Sequence, residues 1–429
     1  MVSSLPTEIL MAIFAALCIS DPPYTLQTSP ALTLSHVCAS WRSLALSMPE
    51  LWAGFIVKLP QSYVCEQSTQ ELLHMHMQRS GNHPLTLDVD FGTSEAKALY
   101  SLLVEQSNRW RQVRIPLSEA SVPHLAPLRD RLALLERLHL RLDGTIGYRG
   151  EQHNYFVSAP KLRELTLASS LPFHLPFPTQ QLTHLRLGAT VTLDAFSFLE
   201  QRSWPCLETL VLNPFYPFKL PPNPRPLSPF PRLHTLVLAI RDGYSRNPIL
   251  DVLCILEAPA LKHMHCYGLR EVILPHRAFT AFVERSACAI ISLQITFRDN
   301  LPVASLLANL RTLSDTLTHL VVFALGTDAM SVTATILTAL VATDAVCLLP
   351  SLISLEFQSA SFNEALLDMA ESRIVSTDSC TRLERLILHN TPSSDASNIW
   401  QRLTALAASG IALSWLPRHK PAKSSVFIQ

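Results

Sequence analysis

His263-Met264-His265-Cys266 is the densest run of metal-ligating side chains in the sequence. Two imidazoles and a thiol hold zinc only when they converge with a fourth group. On a strand, His263 and His265 share one face and Cys266 takes the other, so the run offers two ligands rather than four. His74 and His76 stand two apart on a segment that reads as helix, where such neighbours share no face. The nine cysteines include no CxxC pair, the usage of free thiols in a reducing compartment. No GxxxxGK[ST], GxGxxG, GxSxG or HExxH occurs, and 11 glycines leave few of the tight turns that phosphate loops need. Chemistry is therefore not expected: no catalytic residue, no metal and no cofactor.

Composition narrows the classes further. The 34 basic and 34 acidic residues cancel, so the chain lacks the cationic footprint with which nucleic-acid binders neutralise phosphates. The first basic residue is Arg42, and Glu8 precedes the first apolar stretch, which disfavours a signal peptide. The uncharged runs 329–343 and 345–355 are too short or too interrupted to span a bilayer. These features predict a globular protein of the cytoplasm or nucleus, with no nucleic-acid or membrane partner.

Without chemistry to position, the elements themselves carry the information. Pro6 suits a helix start, with Thr7 and Glu8 beside it. Ile9, Leu10, Ile13, Phe14 and Leu17 then recur at helical spacing, as do Leu34, Val37, Cys38, Trp41, Leu44, Ala45 and Met48. Pro49 ends the second stripe, and Leu51 and Trp52 can fold back over the pair. A unit of roughly 50 residues buries too little surface to be comfortable alone, so part of its apolar surface is expected to stay uncovered for a partner.

LPxEIL, IF, VCxxWRxLA and PxLW in this order resemble the F-box, and the long connection from Asp21 to Thr33 is similar to that in the F-box-like families of mushroom-forming fungi. The resemblance implies docking on a Skp-family adaptor, and through it on a cullin, with Leu5, Pro6, Ile9, Leu10, Phe14, Val37, Trp41 and Trp52 as the contact residues.

Downstream an LxxLxL signature repeats. It stands at Leu135-Leu138-Leu140, Leu162-Leu165-Leu167, Leu182-Leu185-Leu187, Leu207-Leu210-Leu212 and Leu233-Leu236-Leu238. Substituted copies end at Cys266, Ile295, Val322, Phe357 and Leu388, and another sits at Trp110-Val113-Ile115. The mean spacing of about 27 residues lies in the range of leucine-rich repeats. Each copy supplies one short strand, and segments 250–257, 278–285, 301–313, 330–340 and 363–372 read as helices. Leu85, Leu87, Val89 and Phe91 alternate as an earlier strand, with a helix predicted over 95–108. The repeats resemble leucine-rich-repeat proteins, although Asp143, Ser170, Thr190 and Phe215 stand where regular members place a turn-bonding Asn or Cys. Residues 213–231 hold eight prolines and must form a loop.

The expected fold class is α/β: an all-α F-box over 1–57, a bridging helix or linker over 58–84, an irregular leucine-rich-repeat solenoid over 85–416 with its parallel sheet concave and helices outside, and a polar tail over 417–429. In such an arc the residues between the leucines face the hollow, which places His184, Arg186, Thr209, Val211, Thr235, Val237, His263 and His265 as candidate contacts to a protein substrate. The expected function is substrate recognition within an SCF-type ubiquitin ligase. The alternative is a repeat-based interaction module that uses the F-box-like segment as a structural cap, or that binds the adaptor without ligase activity.

Overall fold

The computed structural model describes residues 5–18, 24–58, 66–90, 97–118, 121–142, 154–169, 175–188, 198–200, 202–213, 227–239, 248–269, 275–297, 303–324, 329–343, 347–358, 364–375, 380–389 and 397–415. The chain divides into two compact units, Met1–Trp204 and Pro205–Gln429.

The first unit opens with helices α1 (Thr7–Cys18), α2 (Pro30–Ser35) and α3 (Ala39–Ser47), closed by a 3-10 turn at Pro49–Trp52. Strand β1 (Gly54–Lys58) follows, then α4 (Glu66–Arg79), β2 (Leu85–Asp90), α5 (Lys97–Glu105), β3 (Trp110–Leu117), β4 (Arg137–Leu142), β5 (Glu164–Ser169) and β6 (His184–Gly188). The strands pair in sequence order, all parallel. Parallel neighbours require a return path between strands, and every connection here provides one.

The second unit repeats the scheme. Its strands are β7 (Thr209–Asn213), β8 (Thr235–Ala239), β9 (His263–Leu269), β10 (Ser292–Phe297), β11 (His319–Ala324), β12 (Ser354–Gln358), β13 (Arg385–Leu388) and β14 (Ala412–Trp415). Helices α6 (Pro248–Ile255), α7 (His276–Ser286), α8 (Val303–Thr312), α9 (Ala329–Ala339), α10 (Glu364–Glu371) and α11 (Ser397–Ala408) alternate with β8 to β14. Again every pair is parallel and in sequence order.

Register explains the LxxLxL signature. Leu138, Leu165 and Leu185 align across β4–β6, and Leu210, Leu236, Met264, Leu293, Leu320, Leu355 and Leu386 align across β7–β13. All are buried, and each such side chain contributes roughly 1.5–3 kcal/mol of transfer free energy. The five predicted helices of this unit appear within a few residues of their expected bounds. The helix expected over 95–108 is α5, shortened, with a 3-10 turn at Ser107–Arg109 leading into β3.

Two strands were not foreseen. The segment expected to be all-α through residue 57 instead turns into β1, which buries Phe55 and Val57 and pairs with β2, while Thr25 bridges Ile56 from the other side. Alternating Phe55 and Val57 favour a strand once a neighbouring edge is present. The second is β14, where Gly410 occupies the place of the first leucine of a copy. Phe91, the Pro221-Pro224-Arg225 part of the proline-rich stretch and the tail lie outside the described residues. The end of that stretch is described: Leu227 and Phe230 are buried and donate their backbone N–H groups to the Ile255 and Glu257 carbonyls.

Helix ends leave carbonyls without intrahelical partners, and arginines from other segments supply the donors. The Arg109 guanidinium reaches the Met77 and His83 carbonyls and Ser80 Oγ beyond α4. Arg131 reaches the Glu105 carbonyl at the end of α5, and Arg285 the Leu253 and Leu256 carbonyls around the end of α6. Arg373, wholly buried, donates to the carbonyls of Leu340 just past α9 at 3.0 Å, Leu349 at 3.0 Å and Leu348 at 2.5 Å. Arg382 donates to the Ser409 carbonyl past α11, and its guanidinium lies 2.7 Å from where a Cβ on Gly410 would sit. Gly410 has φ +93°, so a side chain there would be both strained and obstructed. Serines finish the same ends: Ser286 Oγ accepts the Ala258 N–H, and Ser372 Oγ accepts the Ala342 N–H.

Arg373→Leu removes all three donors and leaves buried carbonyls unpaired, at a cost of about 3 kcal/mol. Urea unfolding should register that loss, and a variant within 0.5 kcal/mol of the parent, the range of about neutral surface substitutions, would deny Arg373 this role.

Candidate docking surface

Helix α1 carries two apolar stripes with opposite fates. The backbone N–H groups of Ile9 and Leu10 bond the Pro6 carbonyl and set the start of the helix. From there Leu10 and Phe14 turn inward to a core with Ala31, Leu34, Ala45, Met48, Leu51 and Trp52. The Phe14 and Trp41 rings meet edge to face at 5.0 Å, a favourable aromatic arrangement. The 3-10 turn after Pro49 swings Trp52 beneath α3, where Nε1 donates to the Ala45 carbonyl at 2.8 Å. The Arg79 guanidinium covers the Trp52 ring at 4.4 Å. Cys38 caps α3 by accepting the Trp41 N–H on its sulfur, and Arg42 Nε donates to the Ser35 carbonyl at the end of α2.

The other stripe faces out. Leu5 is 42 % exposed, Ile9 49 %, Ile13 43 % and Leu17 46 %, and Val37 between α2 and α3 is 57 % exposed. Of the residues expected to meet an adaptor, the structure places Leu5, Pro6, Ile9 and Val37 on the surface. It puts Trp41 half-buried at the margin, and it seats Leu10, Phe14 and Trp52 in the core behind. Ile13 and Leu17 join the exposed set, and their i, i+4 spacing from Ile9 was the available signal. Met11 and Leu46 are also exposed.

Behind this core His76 on α4 is fully buried, with the Trp52 and Phe55 rings each 5.2 Å from its own. Neither ring nitrogen makes a hydrogen bond of good geometry, although the Trp52 and Leu26 backbone lies close. Burial pushes its pKa down to about 4, with the nearby Arg79 charge adding to the shift. His74 is exposed.

The sheet residues between the leucines are half-buried or exposed in both units, apart from Ser354, which is buried. In the first unit His184 aligns with Glu164 and Arg186 with Thr166. In the second, Thr209, Thr235, His263, Ser292 and His319 form one row, and Val211, Val237, His265, Gln294 and Val321 the next. Met264 and Cys266 point to the buried side, and His265 Nδ1 lies 3.3 Å from the Tyr267 hydroxyl. Among the described residues no group of three or more His, Cys, Asp or Glu side chains is arranged to hold a metal ion, and no helix is long and apolar enough to cross a membrane.

Residues 2–56 match the model of the F-box-like family, the same segment that forms the helical unit and leads into β1. No curated protein matches the chain.

His76 sets a pH dependence. Its folded pKa lies below the ordinary 6.5, so the unfolded chain binds the proton more readily and stability falls as pH drops from 6.5 toward about 4. The full effect is on the order of 3 kcal/mol. Urea midpoints at pH 7 and pH 4.5 read it, with His76→Phe expected to flatten the slope.

Proposed function

We propose that this chain is the substrate-recognition subunit of an SCF-type cullin ubiquitin ligase. The F-box-like unit docks on a Skp-family adaptor, and the repeats form an irregular leucine-rich-repeat arc whose sheet face holds a target protein. The observation that carries the reading is the uncovered ridge of Leu5, Ile9, Ile13, Leu17 and Val37 on a helical unit whose interior is already complete. Clustered exposed apolar side chains of this kind mark protein contacts. The family match supports a Skp-class adaptor as the partner, since F-box domains typically bind such adaptors.

In this reading Leu10, Phe14 and Trp52 hold the ridge in shape from behind rather than touching the adaptor. The protein performs no bond-making step. It raises the effective concentration of the target's lysines near a ubiquitin-charged enzyme, and proximity is its whole contribution. Such work belongs in the cytoplasm or nucleus, where the free cysteines stay reduced.

The joining of β1 to β2 and the Thr25–Ile56 bridge favour a second role for the same unit, as a cover for the first strand of the sheet. The two roles use opposite sides of the helices. Ile9→Arg with Val37→Arg places two charges on the ridge without entering the core. The double variant should melt within a few degrees of the parent and lose co-purification with the Skp-family adaptor and cullin. An unchanged yield of both would leave only the covering role.

A further inference from the structure

We propose that Cys347 and Cys380 are a redox modification site, two thiols that close to an intramolecular disulfide when hydrogen peroxide reaches the chain. The site lies in the second unit and goes beyond the adaptor reading, which stands or falls without it.

The two cysteines are a full repeat apart in sequence, Cys347 ahead of β12 and Cys380 ahead of β13. Both are free thiols, Cys347 half-buried and Cys380 buried, and their sulfurs are hydrogen-bonding neighbours. The backbone that carries them is held on both sides. Thr381 N–H donates to the Pro350 carbonyl at 2.7 Å, and Leu383 N–H to the Arg373 carbonyl at 3.0 Å. Arg373 in turn donates to the Leu348 and Leu349 carbonyls, next in the chain after Cys347. Leu349 has φ +59°, a left-handed conformation that a leucine keeps only when its surroundings impose it. The guanidinium on its carbonyl is such a restraint. The sulfurs thus meet on fixed segments, and a disulfide, whose geometry is narrow, forms between them with little further ordering.

Surroundings also set the order of reaction. A thiolate is the attacking species, and a small oxidant has access to the half-buried Cys347. Burial pushes the Cys380 thiol up to about 11, the hydrogen bond to Cys347 adds to the rise, and the Arg373 charge pulls the other way. Cys380 therefore waits protonated while Cys347 reacts. The Cys347 sulfur attacks one peroxide oxygen, the O–O bond breaks, and a sulfenic acid and one water result. The Cys380 sulfur then attacks the Cys347 sulfur. The S–S bond forms as the S–O bond breaks, and the departing hydroxide takes the Cys380 proton as a second water. Two thiols have lost two electrons, and one peroxide has become two waters. Exchange with a reducing thiol reopens the bond. Disulfides of this transient kind are the ones that reducing compartments permit.

The test treats the reduced full chain with equimolar hydrogen peroxide, then alkylates and digests it. Mass mapping should find the peptide of Cys347 joined to that of Cys380, with both alkylation sites lost and both regained after dithiothreitol. Cys380→Ser should leave Cys347 as a sulfenic acid that dimedone traps, and Cys254→Ser, which removes an exposed thiol elsewhere, should leave the cross-link unchanged. The oxidised chain should melt about 5 °C above the reduced one, because the bond closes a loop one repeat long, and Cys380→Ser should lose that shift. A sulfenic acid persisting at Cys347 of the parent would show two thiols that merely pack together, and would overturn the proposal. So would cross-links to other cysteines in preference, or a disulfide that leaves the melting temperature where it was. Should Cys380→Ser fail to fold, the cross-link map and melting shift of the parent decide.

Discussion

A helix ends on carbonyl groups that its own backbone cannot satisfy, and among the described helices α4, α5, α6, α9 and α11 have theirs met by an arginine from another repeat. Arg109, Arg285 and Arg373 each reach back to the end of a preceding helix, with sequence separations of 32, 32 and 33 residues for Met77, Leu253 and Leu340. A guanidinium suits the task because its N–H donors fan out in one plane and its charge complements the negative end of the helix dipole. Regular leucine-rich repeats are similar in needing a polar group at the turn, but here the donor is longer, and it clamps helix ends as well as turns. Side chains of that reach let successive repeats differ in length while the ends of α4, α5, α6, α9 and α11 are still closed. Irregular spacing and arginine clamps are thus two sides of one arrangement.

The helical unit at the start obeys a different constraint, that of size. Three short helices cannot surround Phe14 and Trp52 alone, so the chain folds the Pro49–Trp52 turn beneath them and runs directly into β1. α4 then contributes Met75, His76 and Arg79 from below. That completes the inner side and leaves the outer stripe of α1 exposed among the described residues. One helix serves both purposes: positions 10 and 14 secure the unit, and positions 9, 13 and 17 stay exposed.

Much of this was legible in the sequence. The alternating leucines specified the strands because a slip of one residue would turn every leucine to solvent, and eleven copies in tandem left parallel pairing as the natural topology. What remained hidden has physical causes. β1 lacks the leading leucine of the repeat and forms only because β2 offers an edge. β14 has Gly410 where that leucine would stand. The inner and outer stripes of α1 interleave on a helix of three turns, so spacing alone grouped Leu10 and Phe14 with Ile9, and only the position of Trp52 separates them. The arginine clamps have no local signature, since each joins residues a full repeat apart.

Charge on the sheet face belongs to that hidden class as well. Arg114, His139 and Arg186 are scattered over 73 positions in sequence and become neighbours only when the strands align. Composition reports a neutral chain, while the strand register gathers arginines among carboxylates in the first unit and leaves few charges on the sheet residues of the second. A substrate that spoke to the first face would meet directional, salt-sensitive contacts, whereas one that spoke to the second would meet hydroxyls, imidazoles and valines with little long-range pull. Steering by field acts before contact and sets the rate of encounter. On the first face, Asp88 and Asp90 hold Arg114 and Arg141 in fixed positions.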